Sequence, residues 1–130
     1  MKTLARNMLG GLAFAGLTAL LPASALADGP QAVGIAAQHA GLAAAAGNMN
    51  LARTHLHHVL NCLVGPGGDG FDAAPGNPCA NAGGGAIPQT ANPEEKTKLL
   101  NVAQRVRAAI PDNSLDDLKK VATEAQTTLK

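Results

Sequence analysis

Two stretches near the end of the chain carry a clear helical period. Leu99, Val102, Ala103, Val106, Ala109 and Ile110 recur three and four positions apart until Pro111 interrupts them. Leu115, Leu118, Val121, Ala122, Ala125 and Leu129 then line one face of a second segment. Both stretches open on starting signals. Asn92 precedes Pro93, Glu94 and Glu95, an N-cap followed by a first-turn proline and first-turn acids; Ser114 precedes Asp117 in a capping-box variant. The pattern predicts helices over 93–109 and 115–129.

Residues 31–64 contain no proline and are rich in alanine and leucine. As one helix these 34 residues would extend about 51 Å. With a break at Gly47-Asn48, where glycine can take a left-handed exit and Asn48 or Asn50 can cap a restart, they form two helices, 31–46 and 49–64. The broken form is preferred. It gives four segments of matched length, whereas a single rod in so short a chain would leave much surface in need of a partner. Residues 65–92 are dense in glycine and proline and read as a loop. The expected fold is therefore all-α: a small antiparallel helical bundle of four short helices, or of three if 31–64 is one long helix, with a Gly/Pro-rich loop pinned by a disulfide.

The first 27 residues read differently. Lys2 and Arg6 precede an apolar run from Met8 to Leu21, and Pro22-Ala23-Ser24-Ala25-Leu26-Ala27 ends in a small-x-small pattern. This is the layout of a cleaved Sec-type signal peptide, and the apolar run is shorter than the roughly 20 residues a spanning helix needs. The expected organisation is a signal over 1–27 and one helical domain over 28–130. The product would be periplasmic or secreted, with no membrane association after cleavage.

Composition narrows what such a domain can do. The chain has 130 residues, 46% of them hydrophobic, but no tryptophan or tyrosine and only two phenylalanines. Alanine supplies much of the apolar content, so the core must be thin and its helices closely spaced. A large enzyme with a roomy pocket is excluded. Without Lys2 and Arg6 the remaining chain carries 8 basic and 9 acidic residues. That near-neutral balance, with no aromatic platform, argues against nucleic acid as a partner. Cys62 and Cys79 form an even pair, and in an oxidising compartment their expected state is a disulfide, which stabilises by about 3 kcal/mol for a loop of this length.

Candidate chemistry centres on histidine. His39 lies alone, while His55, His57 and His58 crowd the run Arg53-Thr54-His55-Leu56-His57-His58-Val59-Leu60-Asn61-Cys62. At 100° per residue, Leu51, His55, His58 and Cys62 share one stripe; Ala52, Leu56, Val59 and Leu63 share an adjacent apolar one; His57 points elsewhere. Imidazole suits copper, zinc and nickel, but two ligands seldom suffice. A hairpin folding about residues 47–49 sets His39 opposite 55–58 and completes a candidate site of His39, His55 and His58. A continuous rod would hold His39 about 24 Å of helix rise from His55. Met49 lies at the turn end, too far to join.

Other readings rank lower. The absence of Cys-x-x-Cys-His excludes covalent c-type haem, and a b-type haem would find only aliphatic walls. Gly67-Gly68-Asp69-Gly70-Phe71-Asp72 matches the opening of a calcium nonapeptide, but that repeat binds calcium only when stacked and occurs once. The bland alternative for this loop is a chain of turns, with Phe71 and Ile87 plugging onto the helices. Arg105, Arg107, Lys96 and Lys98 read as a solvated face. No nucleophile and base fall in a recognisable arrangement, so an enzyme is not expected. The reading of a different class is a non-catalytic interaction module, its alanine-rich faces docking a partner helix or a second copy of the chain as a homodimer.

Overall fold

The computed structural model describes residues 28–130 and is all-helical, with no strand among the described residues. The proposed signal falls on residues 1–27, outside the described residues. In chain order the helices are α1 (Asp28–Ala44), α2 (Met49–Val64), α3 (Ala86–Gln89), α4 (Pro93–Ala109) and α5 (Leu115–Leu129). The four long ones have 15 to 17 residues, about 23–26 Å each.

The segment expected to break does break, though by a different device. Gly47 does not take a positive φ. Instead α1 winds down through Ala45 N–H to Gly41 O at 3.1 Å and Ala46 N–H to Ala43 O at 3.2 Å. Asn48 then turns extended, with φ −153° and ψ 162°, and its Oδ1 accepts the Leu51 N–H at 2.9 Å. The restart signal, rather than a glycine exit, reverses the chain. As a result α1 ends two residues earlier than the sequence pattern implies.

Small side chains bring the helices together. Ala32, Ala36, Ala40 and Ala43 on α1 are all fully buried, so one stripe of that helix offers almost no side-chain bulk. Against it packs the apolar stripe of α2, in which Ala52, Leu56, Val59 and Leu63 are likewise fully buried. α1 also packs on α5, and α2 on α4. Leu99, Val106 and Leu118 fill the other half of the core. Each such leucine contributes about 2–3 kcal/mol by leaving water, and the alanines contribute chiefly by letting these larger groups meet.

The direction of α4 follows from a single anchor. Arg53, near the start of α2, donates from Nε to Ile110 O at 3.0 Å and from its guanidinium to Asp112 O and Asn113 Oδ1, at the far end of α4. α2 and α4 are therefore antiparallel, and the cation satisfies carbonyls at a helix C-terminus. The caps read from sequence are present. Asn92 Oδ1 accepts the N–H groups of Glu94 at 2.9 Å and Glu95 at 3.0 Å, and Ser114 Oγ accepts that of Asp117 at 3.2 Å. Asn92→Ala is expected to cost about 1 kcal/mol, read as a lowered urea midpoint at unchanged m-value.

The long connection is more ordered than a chain of turns. It contains α3, which buries Ala86 and Ile87; four residues are too few to show a helical period. The Cys62–Cys79 disulfide is formed, with Cα atoms 5.2 Å apart, and both cysteines are buried. Gly65, with φ +72°, ends α2 where a Cβ would run into the Gly84 carbonyl, so two backbone segments cross there in contact. Of the two expected plugs, Ile87 is buried and Phe71 half-buried. Of the basic side chains of α4, Lys98 pairs with Glu95, Arg105 with Glu124 and Arg107 with Asp69, while Lys96 is exposed and makes no ion pair among the described residues. Such exposed pairs add little stability.

Candidate metal centre

The α1–α2 hairpin decides which side chains meet. Burial of Leu56, Val59 and Leu63 fixes the rotation of α2, and the stripe one step round, which carries His55 and His58, then faces the edge of α1 where His39 stands. The three rings cluster with centroids 5.3 Å (His39 to His55), 4.7 Å (His39 to His58) and 5.6 Å (His55 to His58) apart. All three residues are half-buried.

The nitrogens converge more closely than the rings. His39 Nδ1 lies 3.1 Å from His55 Nδ1 and 3.3 Å from His58 Nδ1. One ligating atom from each residue falls within 4.8 Å of the others, and this is the one group of three metal-ligating side chains among the described residues. A tetrahedral ion bound at about 2.0–2.1 Å separates its nitrogens by roughly 3.4 Å. The two separations about His39, 3.1 and 3.3 Å, are close to that spacing, and three ligands would leave a fourth corner for another.

The protonation pattern suits the same purpose. His58 Nε2 lies 2.7 Å from Pro75 O, and a carbonyl oxygen only accepts, so Nε2 carries the hydrogen. Burial, and then the neighbouring charges of His58 and His55, push the pKa of His39 down from 6.5 to about 4. His55 is lowered too, by burial and then by His58. At neutral pH both rings are therefore uncharged, and an uncharged imidazole is the form that ligates a metal.

A depressed histidine pKa also has a stability consequence. Between pH 6.5 and about 4 the unfolded chain binds a proton at His39 that the folded one refuses. Stability of the metal-free protein should therefore hold above pH 7, fall as pH drops through 6.5 and level off with respect to this group below about 4. Urea midpoints measured across that range for the wild type and for His39→Asn check it. The variant should show the shallower decline.

Other candidates are used elsewhere. His57 lies outside the cluster, its Nδ1 buried with no hydrogen-bond partner among the described residues. Met49, the first residue of α2, is 36% exposed and does not join the group. The acids of the calcium-like motif are engaged: Asp69 with Arg107, and Asp72 Oδ1 with the Ala74 N–H at 2.9 Å. Two residues not singled out from the sequence lie beside the cluster: Pro75, whose backbone carbonyl faces His58, and Asn61, whose side chain bonds the same loop. The first makes its contact through its backbone, which no side-chain pattern marks. The second lay in the histidine run, three residues past His58, and a polar residue beside buried Leu60, Cys62 and Leu63 was the available signal.

Comparison with protein-family models, with curated proteins and with solved structures yields no match to this chain. The reading of the site therefore stands on its geometry.

Proposed function

We propose that this protein is an exported binder of a transition metal, held by His39, His55 and His58, and that it serves as a periplasmic carrier or sensor. The observation that supports this reading is the convergence of three imidazole nitrogens, 3.1 and 3.3 Å apart about His39, from two helices that fold back on one another. An all-imidazole donor set favours copper, zinc or nickel over magnesium or calcium, which take oxygen. A b-type haem fits poorly. Rings with centroids 4.7 to 5.6 Å apart leave no slot for a porphyrin between α1 and α2.

Export is supported by the pattern of residues 1–27 and by the formed disulfide. No helix among the described residues is long and apolar enough to cross a membrane. A fourth coordination position left to an outside ligand agrees with an ion that is passed on or sensed rather than permanently buried. Calorimetric titration of residues 28–130 with zinc, copper(II) and nickel tests the proposal. It expects one ion per chain for at least one of the three; an absence of stoichiometric heat with all of them refutes it.

The second reading, an interaction module without a ligand, draws on Leu42, Met49 and Leu51. These are 44%, 36% and 43% exposed at the turn end of the α1–α2 hairpin. Sedimentation of the metal-free chain at high concentration separates the two, since self-association belongs to the module and a monomer to the carrier.

A further inference from the structure

We propose that Asn61 is a positioning residue for the metal centre, acting through the Pro75 carbonyl to hold His58 in the Nε2–H tautomer with Nδ1 bare. The inference rests on the metal-binding reading and adds to it an outer shell built from the disulfide loop.

Asn61 is a fully buried polar residue in an otherwise apolar part of α2. Its amide is satisfied by the loop alone: Nδ2 donates to Asp72 O at 2.6 Å and to Gly76 O at 2.8 Å, and Oδ1 accepts the Asp72 N–H at 3.0 Å. Those partners bracket Pro75 on both sides. The Pro75 carbonyl in turn accepts the His58 Nε2–H at 2.7 Å. His58 and Asn61 stand one turn apart on the same helix, so helix and loop close a ring of hydrogen bonds through Pro75 and Gly76.

Two backbone features aim that carbonyl. Proline fixes its own φ, and Gly76 adopts φ +100°, a conformation that side-chain-bearing residues rarely take, within reach of the His58 ring. The disulfide closes the segment at Cys79. An isolated amide buried in the core would cost stability if unpaired, and the other buried positions of this helix, Ala52, Leu56, Val59, Leu60, Cys62 and Leu63, carry no such group. Its place is explained if loop position matters to something outside the loop, and the group it reaches is a metal-ligating ring.

The chemistry follows from the two nitrogens of imidazole. With a hydrogen on Nε2 and an acceptor holding it, Nδ1 presents a lone pair toward His39, and the carbonyl strengthens the ring as a donor. If the loop shifts, His58 can take the Nδ1–H tautomer or rotate, and either change puts no lone pair at the cluster.

The direct test is long-range proton–nitrogen NMR of the metal-free wild type, which should show His58 as the Nε2–H tautomer; an Nδ1–H ring overturns the proposal without any variant. Asn61→Asp, close in shape but lacking the amide donors, and Asn61→Leu should each weaken zinc binding about 10- to 100-fold and turn His58 into a tautomer mixture. A folded variant that keeps wild-type zinc affinity and a pure Nε2–H signal also overturns it. The outcomes separate from those of the underlying reading. If the wild type binds no metal, that reading fails by itself, and the metal-free tautomer still decides what Asn61 does.

Discussion

Replacing His39 with alanine should weaken zinc binding at least about 100-fold, or about 2.7 kcal/mol, while leaving the helical content unchanged. In the proposed site His39 is the ligand from α1, and its Nδ1 is the shared neighbour of the other two, at 3.1 and 3.3 Å. Without it the hairpin offers a histidine pair three residues apart on one helix, which can hold an ion only with help from solvent. The fold should tolerate the change. His39 is half-buried at the edge of the interface, and α1 is held to α2 by the fully buried Ala32, Ala36, Ala40 and Ala43. Calorimetry for affinity and far-ultraviolet circular dichroism for helicity measure both halves of the statement. His57→Ala is the matched control, since His57 lies outside the cluster; its zinc affinity should stay within about twofold. If His39→Ala binds as tightly as the wild type, the assignment of ligands is wrong.

The second large effect concerns the disulfide. A Cys62→Ala/Cys79→Ala protein should lose about 3 kcal/mol, the value expected for releasing a loop of sequence separation 17. For a domain of this size that corresponds to a drop in Tm of roughly 10–20 °C, and it is a large share of the about 5–15 kcal/mol that holds an ordinary domain together. The reason it weighs so much here is compositional. A core made largely of alanine gains little area per residue, so a covalent tie carries stability that larger side chains would supply elsewhere. Thermal unfolding followed by circular dichroism measures it. A shift of only a degree or two would mean that Gly65, Ala86, Ile87 and the Asn61 contacts hold the loop unaided.

What the sequence disclosed, and what it hid, divides along physical lines. α4 and α5 were legible because their signals are local: Asn92 and Ser114 cap the helix that immediately follows, and the buried positions Leu99, Val102, Val106, Leu118 and Ala122 repeat at the helical period. The reversal between α1 and α2 was legible through Asn48, a restart cap whose action spans three residues. Its companion expectation, a left-handed Gly47, was not met, because the chain unwound through Ala45 and Ala46 instead. The grouping of His39 with His55 and His58 followed once the hairpin was granted, since helical phase places those side chains and the turn places the helices. α3 was hidden because four residues carry no period, and a helix that short does not stand alone but is held where Ala86 and Ile87 are buried. The hydrogen bonds that join Asn61, the loop and His58 were hidden for a different reason. Asn61 and Pro75 are 14 positions apart in sequence and are joined through backbone carbonyls, which every residue has and no composition reveals.

The central claim is a single ion resting on three imidazole nitrogens. A crystal structure of residues 28–130 loaded with zinc, with the ion located by anomalous scattering at the zinc edge, addresses that claim directly. One strong peak is expected about 2.0–2.1 Å from Nδ1 of His39, His55 and His58, with a fourth ligand from outside the chain. A peak elsewhere, or one bound by fewer than these three rings, would contradict it.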